Sequence, residues 1–264
     1  MRQILYTLVF VLLCANYSFS ENIKNSSIKD KDLCENGTCS YIKQDLGDGL
    51  IIEGKFNYNW DGKGTLKLNS KGVNSTYSGY FKQMKPHGEG IFTWTNGNMY
   101  NGQWIEGKKN GFGMFKDKYG LYAGNWKDDM RNGDGKIFLN NSKTFEGKFL
   151  NNKKEGEGTW YYTNGDKFVG KFKDGLKNGY GIDFLSEGHE IRGNHVNNLR
   201  VGKTEVHLND GAIVQWVYDK GNTIDGEGYI KTSNGKLFKG YWKNGELKVE
   251  RNNNKNLKLL LAVL

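Results

Sequence analysis

The chain has 264 residues, 36% hydrophobic and 14% aromatic, with 37 glycines against a single proline and a formal charge of +9. So much glycine excludes a helix-rich domain, and so many aromatics exclude a disordered chain; burial must come from rings set beside bare backbone, as in an all-β repeat protein. The positive balance suits anionic partners, although no run of five or more basic residues occurs and scattered lysines also keep a repetitive sheet soluble.

The first twenty residues differ from the rest. Arg2 gives a positive start, residues 4–13 are continuously apolar, and Ser18-Phe19-Ser20 leaves small residues before Glu21. This is the pattern of a cleavable secretory signal peptide (residues 1–20), with the cut after Ser20. Asn16 to Ser20 turn polar too early for a transmembrane span, which needs about twenty apolar residues. The expectation is a secreted or periplasmic protein, with peripheral attachment to a membrane as a second placement. Residues 21–50 then read as an N-terminal cap. In it Cys34 and Cys39 flank a turn-forming Asn36-Gly37, which favours a local disulfide over a metal half-site lacking further ligands nearby.

From residue 51 to residue 246 one phrase recurs. Gly79, Gly102, Gly124, Gly147, Gly170 and Gly193 open six units, 22 or 23 residues apart, and nine residues after each comes Gly88, Gly111, Gly133, Gly156, Gly179 or Gly202. Aromatic residues sit two before the opening glycine (Tyr77, Tyr100, Tyr122, Phe145, Phe168) and two after it (Phe81, Trp104, Trp126, Phe149, Phe172), while Trp94 and Trp160 fall in the second segments. Two short segments of period-two patterning around a polar loop make a β-hairpin. One face carries rings and glycines, so rings from one strand can lie over the bare backbone of a neighbour. Asn96-Gly97, Asn164-Gly165, Asp210-Gly211 and Asn234-Gly235 are expected to join successive hairpins through tight turns. The fold class expected is an all-β, single-layer antiparallel meander of successive hairpins, curved and elongated.

The phrase resembles the MORN (membrane occupation and recognition nexus) repeat, whose usual form is Tyr-x-Gly-x-Trp, a polar loop, then Gly-x-Gly. About eight units and a half-unit can be counted. The unit from Ile52 is one residue short between Gly54 and Gly62, the one near Ile213 lacks its first glycine, and the one at Ile191 has His195 and Thr204 where an aromatic and a glycine belong. The resemblance implies a non-catalytic module for protein–protein interaction or self-assembly, with the twelve rings named above as the candidate binding surface.

A second reading is attachment to anionic lipid or acidic glycan of the cell envelope through loop lysines, Lys108, Lys109, Lys153 and Lys154. Nucleic acid is a poor partner for an exported chain, and no small-molecule substrate or cofactor is implied. His87, His189, His195 and His207 are scattered, giving neither metal-ligand nor general-base spacing. The Gly-x-Gly elements begin strands and lack the following helix of a phosphate cradle. Asp128 and Asp129 read as solvated turn residues. After the array, residues 247–264 end in LKLLLAVL, too short to cross a bilayer, and read as a tail or capping strand.

Overall fold

The computed structural model describes residues 40–57, 59–139 and 142–249. The N-terminal apolar run, the Cys34/Cys39 pair and the tail from residue 250 lie outside the described residues. Within them every regular element is a β-strand, and the fold is an antiparallel meander. The described residues form two compact units, the first running to Gly133 with Leu139, the second comprising Asp134–Phe138 and residues 142–249.

The first unit holds β1 (Ser40–Asp45), β2 (Leu50–Phe56), β3 (Gly62–Ser70), β4 (Val73–Lys82), β5 (Lys85–Thr93), β6 (Met99–Ile105), β7 (Lys108–Lys116) and β8 (Gly120–Lys127), and the division falls within β9 (Met130–Leu139). The second holds β10 (Ser142–Leu150), β11 (Lys153–Tyr161), β12 (Lys167–Lys173), β13 (Leu176–Phe184), β14 (Glu190–Val196), β15 (Leu199–His207), β16 (Ile213–Asp219), β17 (Asn222–Lys231), β18 (Leu237–Lys243) and β19 (Glu246–Val249).

Two kinds of turn alternate. Inside each bulged hairpin a two-residue turn puts both residues in the left-handed region, as at Asp128 (φ 48°) and Asp129 (φ 68°) or Asn151 (φ 48°) and Asn152 (φ 72°). Asn and Asp tolerate that region better than other side chains, which explains the polar run there. Between hairpins the turn is wider than the Asn-Gly signal suggested: Trp94 N–H donates to Asn98 O (2.9 Å) and Gly97 N–H to Trp94 O (2.9 Å). Only Gly97 (φ 80°) is left-handed. The asparagine instead closes the turn with its side chain, Asn96 Oδ1 accepting from Asn98 N (3.0 Å), and Asn164 and Asp210 do the same.

The glycines of each Gly-x-Gly serve two purposes. The first sits in a bulge: where Gly102 pairs Gly113 and Trp104 pairs Lys109, residues 110–112 of β7 crowd opposite the single Gln103, and Gly111 takes φ 82°. The short unit from Ile52 pairs Gly54 with Gly64 and Phe56 with Gly62 without any slip, so it lacks the bulge. The second glycine lies beneath a ring. A Cβ built on Gly113 would come within 2.5 Å of Tyr100 Cζ, and one on Gly158 within 2.7 Å of Phe145 Cζ.

The core is a zigzag of edge-to-face rings. Tyr100 meets Trp104 of its own repeat at 5.0 Å and Trp126 of the next at 5.4 Å. In the second unit Phe145 meets Phe149 at 5.4 Å and Phe172 at 5.2 Å. Each repeat thus buries the ring of its neighbour.

Candidate functional site

The rings proposed from sequence as a binding surface are the core. Tyr77, Phe81, Tyr100, Trp104, Tyr122, Trp126, Phe145, Phe149, Phe168 and Phe172 are all buried, and only Trp94 and Trp160 are partly open. Buried phenols also secure the backbone, with Tyr77, Tyr100 and Tyr122 donating to the carbonyls of Tyr80, Gln103 and Asn125. The indoles of Trp104 and Trp126 donate to the carbonyls of Gly90 and Gly113.

The four lysines are corrected too. They are not in loops: Lys108 and Lys109 open β7, and Lys153 and Lys154 open β11. Strand alternation turns Lys108 and Lys153 outward, where they pair with Asp128 (3.7 Å) and Asp174 (2.7 Å). It turns Lys109 and Lys154 inward over rings, 4.6 Å from the Trp126 centroid and 4.0 Å from that of Trp160. Burial holds the Lys109 ammonium below the usual lysine range, Asp129 offsetting part of the effect.

Sequence reading missed that these inward lysines belong to a series. Seven residues after five of the six opening glycines, all but Gly79, come Lys109, Arg131, Lys154, Lys177 and Arg200. Each lies over aromatic rings of its own or the next repeat: Arg131 over Tyr122 (5.5 Å), Lys177 over Phe168 (3.9 Å) and Arg200 over Tyr218 (5.8 Å). The fixed spacing was the available signal. Cation–π attraction lets the ring face accept a charge that burial would otherwise exclude.

One place on the inner face of the second unit is polar. Asp183 Oδ1 accepts from Lys177 Nζ (2.9 Å) and Oδ2 from Arg200 Nη2 (2.6 Å), while His195 Nε2 lies 3.9 Å from Oδ2. His195 takes the position of the expected aromatic and keeps its geometry, edge-to-face on Phe168 at 5.2 Å. Thr204 pairs with Trp216 where other repeats pair two glycines, as Gly181 does with Gly193. Both departures noted in the sequence therefore lie on the adjacent strands β14 and β15.

Burial, with Arg200 and Lys177 adding to it against Asp183, pushes the His195 pKa from 6.5 down to about 4. A depressed folded-state value means the unfolded chain takes up the proton first. Stability is therefore expected to fall as pH drops from about 6.5 toward 4, every tenfold difference in proton affinity between the two states being worth about 1.4 kcal/mol before solvent screening. Urea denaturation at pH 7 and pH 4.5 checks this: His195→Phe should flatten the difference, and an unchanged difference would remove His195 as its source.

The opposite face of the first unit exposes apolar side chains. Tyr80, Ile91, Phe112 and Met114 share it, Ile91 and Met114 both pairing with Asn101, and Phe112 is 54% exposed. Ser78, Asn101, Gln103 and Asn125 lie between them; Glu89 is the acid beside them, and Glu53 stands in the Ile91 row three strands away. The corresponding face of the second unit is laced with ion pairs such as Lys136–Glu146 (2.9 Å) and Arg192–Glu190 (2.6 Å). Among the described residues, no group of three or more His, Cys, Asp or Glu is placed to hold a metal ion.

A family model of the MORN repeat matches residues 77–99, 100–118, 122–141, 145–167 and 168–182. The matched stretches carry the ring zigzag and the bulged glycines. Mouse Alsin is 31% identical over 91 residues, 32% of this chain and 6% of that protein. Human Alsin is 33% identical over 79 residues, 28% of this chain and 5% of that protein. The chain thus spans only a small part of the length of these relatives.

Proposed function

Because this chain belongs to the MORN-repeat proteins, we propose that it is a non-catalytic, extracytoplasmic interaction module that holds a protein partner on the outer face of its first unit. MORN repeats in general associate with proteins or membrane lipids. The observation that carries the reading is the exposed set of Tyr80, Ile91, Phe112 and Met114, on strands where solubility alone would place charge. Aromatic and methionine side chains with few charges at the centre are the composition of an interface. The N-terminal apolar run supports export.

Anionic lipid or glycan loses much of its support once Lys108 and Lys153 are ion-paired and Lys109 and Lys154 face rings. A photo-crosslinking residue placed at Phe112 should give discrete protein adducts in the native host that the same residue at Lys171, on the outer face of the second unit, does not. Equal labelling at both positions would sink the reading. Co-sedimentation with anionic vesicles that reverses in high salt would replace it with envelope attachment.

A further inference from the structure

Four buried polar atoms in the second unit have no hydrogen-bond partner in the protein: His195 Nδ1, Arg200 Nη1, Thr204 Oγ1 and Trp216 Nε1. All lie on strands β14 to β16, and the pairings His195 with Arg200 and Thr204 with Trp216 put each pair on one side of the sheet. His195 is 3% exposed, Thr204 0% and Trp216 3%. A buried group left unpaired costs about 1–3 kcal/mol, so four on three adjacent strands call for an explanation.

The chemistry of the four is one-sided. The guanidinium and the indole can only donate, and the hydroxyl and the imidazole can donate as well. The charges around them are also unbalanced: two cations, Lys177 and Arg200, share the single carboxylate of Asp183. The acids on β14 and β15 are engaged elsewhere, Glu190 with Arg192 and Glu205 with His207 and Tyr229. Surplus donors beside a surplus positive charge describe the surroundings of an anion.

We propose that this locus binds a small monoanion, a carboxylate or an ion of similar size, received by Arg200, Thr204, His195 and Trp216. The two departures from the repeat supply it. Thr204 and Trp216 bring donors to a position that two glycines leave bare elsewhere, and His195 brings a nitrogen where the two preceding repeats have the hydrocarbon edges of Phe149 and Phe172. Binding here does not depend on the outer face of the first unit.

The test is a titration of the ¹⁵N-labelled full chain with sodium formate, against sodium sulfate at equal ionic strength, following the tryptophan indole resonances. The Trp216 indole, assigned through Trp216→Phe, should shift saturably. Those of Trp104, Trp126 and Trp242, already donating to carbonyls, should stay in place. Thr204→Val, which removes the hydroxyl at nearly constant volume, should weaken formate binding about tenfold, and it serves should Trp216→Phe fail to fold. A terminally blocked peptide with one glutamate, tested alongside, separates a partner's carboxylate from a free anion. A Trp216 resonance that does not move, or that moves without saturation alongside the other indoles, overturns the proposal.

Discussion

Phe168→Ala is expected to lower stability by about 4 kcal/mol, within the range for removing a fully buried phenylalanine. The ring is fully buried. It touches Phe172 at 5.5 Å in its own repeat and His195 at 5.2 Å in the next, lies 3.9 Å from the Lys177 ammonium, and covers Gly181. Its loss opens a cavity, uncovers glycine backbone and leaves Lys177 with only the more distant Tyr162 ring (5.4 Å). Urea denaturation followed by circular dichroism measures the change. Phe112→Ala, on the outer face, should cost less than about 1 kcal/mol, as exposed positions usually do. Near-equal effects at the two positions would mean that the zigzag is not the core.

Gly113→Ala should destabilise by about 3 kcal/mol, the upper part of the range for overpacking. The added methyl would come within 2.5 Å of Tyr100 Cζ, and that ring is pinned by its hydrogen bond to Gln103 O and by Trp104 and Trp126 on either side. At Gly97 nothing lies within 4 Å of an added Cβ, and only the left-handed φ of 80° resists it. Gly97→Ala should therefore cost about 1 kcal/mol, the low end for such strain. The cause can be isolated in a double-mutant cycle: with Tyr100→Ala in place, Gly113→Ala should become much milder. Simple additivity would show that Tyr100 is not what the methyl meets.

The fold was legible in the sequence because it rests on period and composition. The pairing of rings with glycines, Tyr100 over Gly113 or Phe145 over Gly158, follows from strand alternation and a fixed repeat. What was misread is where the rings point once neighbours are added. In an isolated hairpin an aromatic face looks like a binding surface, and only the contact of Tyr100 with Trp126 of the next repeat reveals it as interior. The lysines failed for a related reason. A run such as Glu106-Gly107-Lys108-Lys109 looks like loop, but the turn takes only the two left-handed residues Glu106 and Gly107, and the next two begin a strand. The polar locus around His195 was visible only as two departures from a pattern, since nothing local says that Thr204 lies across from Trp216.

The two kinds of turn also decide where this protein can accept change. In the bulged repeats the count from an opening glycine to the glycine it pairs with is eleven, as from Gly102 to Gly113 or Gly170 to Gly181, because the two-residue turn and the bulge lock that hairpin end. The slack lies at the other end. Gly90 to Gly102 is twelve residues and Gly113 to Gly124 is eleven, and the difference is taken up by the shorter turn in which Asp117 N–H donates to Gly120 O (3.0 Å). One margin of each unit is a fixed selvedge and the other an open seam, where a stretch of foreign sequence could be stitched in at Asn96 or Asn164 without displacing a ring.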